Sequence, residues 1–280
     1  MPSIVVVGSV NLDIVAVANR LPLAGETVTD AVLNRFPGGK GANQALAARR
    51  LGADVALVAC VGRDADAQAA LALLRAGEVD LSNVVAVADA ATGVALITVA
   101  ASGENQIVVA PGANRSLSRE SLRLPAADAL ICQLEVPTDT VAQAARDFEG
   151  FFCANLAPAK HVDVAVLQRA DLIVVNETES AWYGDSLDAC NGMIATTFGA
   201  AGAALMRRGE ELARAKPPRV AAVDTTAAGD TFTAALTVAL VEGQTPQDAL
   251  RFACAAGAAA ATRMGAQPSL PTRDEVRSLL

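Results

Sequence analysis

Short runs of apolar, largely β-branched residues alternate along most of the chain with segments in which apolar residues recur at helical spacing. Strands that alternate with helices are joined by right-handed crossovers and lie mainly parallel in one sheet, which the helices cover. The pattern therefore predicts an α/β fold with three layers, α/β/α, around a mainly parallel central sheet. The predicted strands are 4–10, 55–61, 129–134, 172–175 and 193–197, and the predicted helices are 42–51, 65–75, 138–148, 230–241 and 246–263.

Two stretches depart from this alternation, because residues 12–36 and 92–110 contain strand patterns with no helix between them. Within the second stretch, Ser102-Gly103-Glu104-Asn105 lies between two apolar runs and is typical of a hairpin. We expect the two stretches to pair as one small separate sheet, although an extension of the central sheet's edge is an alternative. No repeat or low-complexity linker is present, so residues 1–280 are expected to form a single domain.

The composition fits this fold and narrows the class of function. Hydrophobic residues make up 52% of the 280 residues and aromatic residues only 3%, which is typical of strands buried between helices. A formal net charge of −8 argues against a nucleic-acid partner. No apolar run approaches the ~20 residues that span a membrane, and Met1-Pro2-Ser3 leads directly into a strand.

Five widely spaced cysteines and a single histidine, His161, exclude two further kinds of site. An odd number of cysteines without a Cys-x-x-Cys motif favours free thiols in a reducing compartment over a disulfide framework. One histidine outside any motif cannot build a histidine-based metal site. We therefore expect a cytoplasmic protein.

The segment from Asp224 to Phe232 contains the clearest chemical signal. Three small residues, Ala227, Ala228 and Gly229, precede Asp230 and a helical pattern. Small side chains allow the backbone N–H groups at a helix start to converge on an anion, and a carboxylate there lies where a general base is needed. The alternative is an ordinary strand-to-helix turn in which the aspartate caps the helix.

A second glycine-rich segment, residues 37–45, lies far upstream and precedes another helical pattern. Lys40 offers a positive charge to a phosphate, and Asn43 offers both a donor and an acceptor to a hydroxyl group. The segment is not a Walker A loop, because Gly-Lys is not followed by Ser or Thr, and the chain contains no Gly-x-Gly-x-x-Gly.

Together, these two segments resemble the paired signatures of the ribokinase-like carbohydrate kinases. Further motifs follow in the expected order from about residue 4 to residue 271: 8–13, 22–28, 92–97, 112–114, 176–179 and 265–269. The resemblance implies transfer of a phosphoryl group from ATP to a sugar hydroxyl. It also implies that residues 12–37 and 92–110 form a lid over the sugar, through which two copies of the chain form a homodimer.

The resemblance assigns roles to the residues around Asp230. Asp230 is expected to take the proton from the sugar's primary hydroxyl, while the amides of Ala227, Ala228 and Gly229 stabilise the transferred group. The sugar-binding residues are expected to be Asn11, Asp13, Gly39, Lys40, Gly41, Asn43 and Glu135. For Asn11 and Asp13, which share one face of a strand end, an Asx turn is the alternative.

On the nucleotide side, the resemblance points to a Thr-x-Gly-x-x-Gly loop and to residues around it. The expected ATP-binding residues are Asn176, Thr197, Phe198, Gly199, Ala200, Ala201, Gly202, Gly229 and Cys254. Glu179 is expected to bind Mg²⁺ through water, although Asn176 and Glu179 also have the spacing of a helix capping box, and both roles can hold together. An oxygen-only site for K⁺ is expected from Asp224, Thr226, Ala260, Arg263, Gly265 and Ser269.

Two features depart from the family pattern. The segment 180–192 is short and contains the only tryptophan and the only tyrosine, and Cys254 stands where related kinases often have His or Asn.

The leading hypothesis is ATP-dependent phosphorylation of D-ribose at O5, giving D-ribose 5-phosphate and ADP. The alternatives are a kinase of the same chemistry for deoxyribose, a ketohexose or a nucleoside such as adenosine, and a sugar-binding protein without catalytic activity.

Overall fold

The protein, described for residues 1–280 by a computed structural model, contains two β-sheets and ten α-helices. The strands are β1 (Ser3–Val7), β2 (Asn11–Ala18), β3 (Val32–Gly38), β4 (Asp54–Gly62), β5 (Val84–Val87), β6 (Gly93–Ala100), β7 (Asn105–Ala110), β8 (Ala129–Cys132), β9 (Phe151–Asn155), β10 (Leu172–Asn176), β11 (Met193–Thr197), β12 (Ala203–Arg207) and β13 (Glu210–Ala215). The helices are α1 (Lys40–Arg50), α2 (Ala65–Ala70), α3 (Ala72–Ala76), α4 (Thr138–Asp147), α5 (Val164–Arg169), α6 (Glu177–Tyr183), α7 (Ala228–Val241), α8 (Pro246–Ala260), α9 (Ala266–Ser269) and α10 (Arg273–Arg277).

The central sheet has nine strands in the order β13-β12-β11-β10-β9-β8-β1-β4-β5. In this order, every neighbouring pair from β11 to β5 is parallel. The strands β12 and β13 form an antiparallel hairpin at the edge next to β11. The predicted mainly parallel sheet is therefore confirmed. The first strand ends at Val7 rather than at residue 10, because the chain turns there into the second sheet.

Side chains of the parallel strands alternate between two cores, as period-two geometry requires. In β1, Ile4 and Val6 face a core that also contains residues of α1, α7 and α8. Val5 and Val7 face the opposite core, which contains residues of α4 and α5. Helices thus cover both faces of the sheet, and the three-layer prediction is confirmed. None of the helices is sufficiently long and apolar to cross a bilayer.

The second sheet has four strands in the order β3-β2-β6-β7, with β2 and β6 parallel at its centre. The predicted small separate sheet is confirmed, and the alternative of an extended central sheet is wrong. The first residues of β2 lie close to the central sheet, because only residues 8–10 separate β1 from β2. Its distal part exposes large aliphatic side chains, namely Val32, Leu33, Leu96, Ile107, Val108 and Val109.

Side chains cap two helices near the C-terminus, and one predicted helix is interrupted. Thr245 caps α8 ahead of Pro246, and Thr272 forms a capping box at the start of α10. The helix predicted over 65–75 is divided into α2 and α3 at Leu71.

The short segment 180–192 forms the end of α6 and a turn of 3₁₀-helix. Tyr183 is buried there and donates its hydroxyl to the carbonyl of Lys160 at 2.7 Å, whereas Trp182 stays half exposed. His161 is an exposed loop residue whose ring centroid lies 5.0 Å from that of Trp182. All five cysteines are free and buried.

Candidate active site

The candidate active site lies where the carboxyl ends of the central parallel strands meet the N-termini of α1 and α7. Such an edge is where open α/β sheets bind ligands. Asp230 occupies the first turn of α7 and is only 6% exposed. The pairing of α1 with α7 brings it close to residues from the glycine-rich segment upstream, so the two sequence motifs form one site.

Two amide side chains of α1 hold the carboxylate of Asp230. Asn43 donates from Nδ2 to Oδ2 at 2.9 Å, and Gln44 donates from Nε2 to Oδ1 at 3.0 Å. Asn43 was predicted from the sequence, whereas Gln44 was not. The Oδ1 atom of Asn43 is buried and has no hydrogen-bond partner in the chain, so it can accept a hydrogen bond from a ligand hydroxyl.

The backbone at the start of α7 is arranged in a manner that suits an anion. Ala227 has φ 61° and ψ 6°, a left-handed conformation that is uncommon for a residue with a side chain. A left-handed residue followed by a helical one points successive N–H groups into one concavity.

The predicted set of three anion-binding amides needs one correction. The N–H of Ala228 donates to the carbonyl of Thr225 at 3.1 Å and is therefore already used in a turn. The N–H groups of Ala227, Gly229 and Asp230 have no acceptor within the chain. The amide of Asp230, which was not predicted, is therefore free to donate to an anion, whereas that of Ala228 is not.

Asn11 and Asp13 project from β2 of the second sheet, and both side chains are buried. Asn11 accepts a hydrogen bond at Oδ1 from Nδ2 of Asn114 at 2.7 Å, which leaves its own amide nitrogen as a donor. The carboxylate of Asp13 forms no hydrogen bond within the chain. Neither side chain forms an Asx turn, so that alternative is wrong.

Glu135 lies just beyond β8 and is oriented by the start of α1. Its Oε2 atom accepts hydrogen bonds from Oγ of Ser9 at 2.5 Å and from the backbone N–H of Lys40 at 3.2 Å. The glycines beside it allow this close approach: Gly39 has φ 89°, and a Cβ on Gly41 would lie 2.5 Å from the backbone nitrogen of Ser9.

Four carboxylates and one ammonium group determine the electrostatics of the site. Burial raises the pKa of Asp13 to about 7, with smaller contributions from the charges of Glu135 and Asp230. The charge of Asp230 is the main cause that raises the pKa of Lys40 above its usual value. Burial also raises the pKa of Glu179. The result is a pocket rich in acceptors for hydroxyl hydrogens.

A cavity of about 550 Å³ opens on the other side of the α7 N-terminus. Six residues predicted to bind nucleotide line it, namely Thr197, Gly199, Ala200, Gly202, Gly229 and Cys254. Asn176, Phe198 and Ala201 do not line it. The cavity is also lined by a segment that was not predicted, because it has no periodic pattern: Pro217, Pro218, Arg219, Val220 and Ala222.

Asn176 and Glu179 form the capping box at the start of α6 that their spacing predicts. Asn176 accepts at Oδ1 from the N–H of Glu179 at 2.8 Å, and Glu179 accepts at Oε2 from the N–H of Asn176 at 2.9 Å. No group of three or more His, Cys, Asp or Glu side chains in the chain could hold a metal ion. One remaining carboxylate oxygen of Glu179 fits an ion that keeps most of its waters and phosphate ligands.

The two segments predicted to bind a monovalent cation lie against each other. Asp224 accepts from the N–H of Thr226 at 2.9 Å through Oδ1 and from the N–H of Gly265 at 2.8 Å through Oδ2. Ser269 is buried and donates its hydroxyl to the carbonyl of Ala266 at 2.8 Å. The carbonyl of Ala260 accepts from the N–H of Arg263 at 3.4 Å. Carbonyl, hydroxyl and carboxylate oxygens are the donor set that suits a hard cation such as K⁺.

Comparison with known proteins shows which family the chain belongs to. The sequence profile described as pfkB family carbohydrate kinase matches residues 1–273. The chain belongs to the pfkB family of carbohydrate kinases. The resemblance inferred from the motifs is thereby confirmed over almost the whole chain.

Relatives within the pfkB family match this kinase along its full length. The ribokinase of Haemophilus influenzae is 37% identical, and the match covers 99% of this chain and 98% of that protein. The crystal structure of ribokinase from Thermotoga maritima has a TM-score of 0.90 at 34% identity and covers 100% of this chain and 99% of that one. The structure of Arabidopsis thaliana ribokinase complexed with ribose and ATP has a TM-score of 0.87 at 30% identity, with 99% and 98% covered.

Proposed function

We propose that this pfkB kinase transfers the γ-phosphoryl group of ATP to O5 of D-ribose, giving D-ribose 5-phosphate and ADP. The position of Asp230 carries the proposal. Its buried carboxylate lies between the hydroxyl-binding pocket, where Asn43 and Gln44 hold it, and the cavity that Gly229 lines. The full-length similarity to ribokinases, one of them described with ribose and ATP, supports the choice of substrates.

In the proposed reaction, Asp230 accepts the proton of the O5 hydroxyl as that oxygen attacks the γ-phosphorus. A new P–O5 bond forms, and the bond between the γ-phosphorus and the oxygen of ADP breaks. The unpaired N–H groups of Ala227, Gly229 and Asp230 donate to the oxygens of the transferred group, where negative charge is concentrated.

The sugar pocket suits a small molecule with several adjacent hydroxyl groups. Asp13 accepts two hydrogen bonds when ionised, Asn11 donates through its free amide nitrogen, and Asn43 accepts through Oδ1. Buried polar groups of this kind reject a ligand that lacks the matching hydroxyl, because they would stay unpaired. Ribose should therefore be preferred over 2-deoxyribose.

Two ions fit the donor atoms of the chain and are part of the proposal. Glu179 would hold Mg²⁺ through water, and this ion neutralises phosphate charge when it is bound. The loops around Asp224 and Gly265 would hold K⁺, beside the start of α7. Lys40 adds a fixed positive charge that interacts with Asp230.

The second sheet is proposed to act as a lid and as the contact between two copies of the chain. It carries Asn11 and Asp13 on the side of the sugar pocket. At its distal part Leu96 and Val108 are 50% and 66% exposed, and a partner subunit would cover them. Five buried free cysteines fit the reducing conditions of the cytoplasm, where we propose that the enzyme acts.

A substrate panel tests the proposed function directly. Purified protein with Mg²⁺, K⁺ and ATP is supplied in turn with ribose, 2-deoxyribose, fructose and adenosine, and ADP release is measured. We expect ribose to give the highest kcat/KM. A higher value with another acceptor would assign the site to that acceptor, and sugar binding without ADP release would indicate a non-catalytic sugar-binding protein.

The substitution Asp230→Asn tests the role of Asp230 as a general base. Loss of a general base should lower kcat by a factor on the order of 10²–10⁴. Ribose affinity, measured by calorimetry, should change little because the amide keeps the shape of the side chain. A variant with near-native kcat would refute the proposed mechanism.

A further inference from the structure

Three buried amide side chains form a continuous hydrogen-bonded relay that ends at Asp230. Gln133 donates from Nε2 to Oε1 of Gln44 at 2.6 Å. Gln44 donates from Nε2 to Oδ1 of Asn155 at 2.9 Å and to Oδ1 of Asp230 at 3.0 Å. All three amides are at most 6% exposed, and they come from α1 and from the ends of the neighbouring strands β8 and β9.

The direction of this relay is fixed at its far end by the main chain. Nδ2 of Asn155 donates to the carbonyl of Val174 in β10 at 3.1 Å. A backbone carbonyl can only accept hydrogen bonds, so Asn155 must present nitrogen to β10 and oxygen to Gln44. Gln44 must then present its nitrogen to Asn155, and the second hydrogen of that nitrogen points at Asp230.

The amide oxygen of Gln44 fits the same orientation. Its oxygen faces the amide nitrogen of Gln133, which can only donate. Every hydrogen-bonding group of the Gln44 side chain except one lone pair is therefore used. Gln44 presents an N–H to Asp230 whether or not a sugar is bound, because β10 and not the ligand determines its orientation.

We propose that Gln44 is a positioning residue for Asp230, and that Asn155 and Gln133 set its orientation. Gln44 holds Oδ1 of Asp230 while Asn43 holds Oδ2, so the carboxylate cannot rotate about its Cβ–Cγ bond. The remaining lone pairs then point in a constant direction toward the incoming hydroxyl. Proton transfer depends strongly on such alignment. This inference rests on the proposed function, in which Asp230 is the base.

The substitution Gln44→Met removes the hydrogen bonds and keeps the approximate length of the side chain. We expect kcat to fall about 10- to 100-fold, while the ribose dissociation constant measured by calorimetry stays within about threefold. A purely structural role would not separate these two quantities in this way.

A double-mutant cycle gives the decisive readout. If Gln44 acts only through the base, Gln44→Met should cause no further loss of kcat in the Asp230→Asn background. Losses that multiply would overturn the proposal, as would a folded Gln44→Met enzyme with wild-type kcat. Thr237→Val is the matched control, because it removes a buried hydrogen bond of α7, to the carbonyl of Thr233, outside the site.

Asn155→Leu tests the relay from its other end and serves if Gln44→Met does not fold. Because Oε1 of Gln133 has no partner of its own, this variant leaves the amides of Gln44 and Gln133 free to reverse together. We expect kcat to fall roughly 3- to 10-fold, again without further loss in the Asp230→Asn background. An unchanged kcat would overturn the relay. If the wild-type enzyme phosphorylates no sugar at all, the proposed function fails and the positioning role fails with it. If the wild type is active but the variants do not show the expected changes in kcat, only the positioning role is refuted.

Discussion

Asp13→Asn should stabilise the unliganded protein at alkaline pH while weakening its binding of ribose. Asp13 is 7% exposed, and its carboxylate lies within electrostatic reach of Glu135 and Asp230. No cation or donor of the chain forms a hydrogen bond with it. Its pKa is accordingly raised from 3.8 to about 7, first by burial and then by those two charges.

The sign and size of the effect follow from this pKa. A carboxyl group with a raised pKa binds its proton more tightly in the folded state than in the unfolded chain. Its effect on stability is absent below pH 3.8, and the folded state loses stability as the pH rises to about 7. The slope of about 1.4 kcal/mol per pH unit applies only up to the folded-state pKa of about 7. The loss between pH 5 and pH 8 therefore comes almost entirely from the two units below pH 7 and amounts to about 3 kcal/mol. This is a large part of the 5–15 kcal/mol that typically stabilises a folded protein.

Urea denaturation of the wild type and of Asp13→Asn at pH 5 and pH 8 measures this effect. The free energy of unfolding of the variant should gain about 3 kcal/mol relative to the wild type over that interval. A difference that does not change with pH would refute the argument. Asp128→Asn is the control: hydrogen bonds from Ser3 lower the pKa of Asp128, so its difference should be flat between pH 5 and pH 8.

Three further predictions test other parts of the structure. Gly8→Ala should destabilise the protein by about 1–3 kcal/mol in thermal denaturation, since the added Cβ would lie 1.9 Å from Oε1 of Gln133; an unchanged Tm would contradict the close packing there. Val108→Lys should convert a dimer into a monomer in sedimentation velocity, and an unchanged sedimentation coefficient would exclude the second sheet as the interface. Replacing K⁺ by tetramethylammonium should lower kcat, and equal turnover in both salts would refute the cation site between Asp224 and Gly265.

The residues that a sequence motif contains were largely predictable. Asp230 and Asn43 lie in glycine-rich segments whose small residues indicate close backbone approach, and the structure places the two side chains 2.9 Å apart. The layers of the fold were predictable because the strands and helices differ in hydrophobic period. The separate second sheet was predictable for the same reason, because no helical pattern lies between β2 and β3.

Residues whose role depends on tertiary contacts could not be predicted in this way. Gln44 directly follows Asn43, but an isolated glutamine in a helix gives no signal of its own. Gln133 and Asn155 stand at the ends of two strands that become neighbours only in the folded sheet, and β9 was not predicted. The hydrogen bond from the N–H of Ala228 to the carbonyl of Thr225 is likewise a property of the turn geometry. A search for polar residues at strand ends would have found Gln133.

The burial of every native thiol makes the protein well suited to site-selective labelling. Burial raises the pKa of all five thiols, so each stays protonated and unreactive; they are Cys60, Cys132, Cys153, Cys190 and Cys254. A single engineered thiol such as Ser102→Cys, at the exposed turn between β6 and β7, would therefore react alone with a maleimide dye. The fluorescence of that dye would report whether the second sheet moves when ribose is added, without any cysteine having to be removed first.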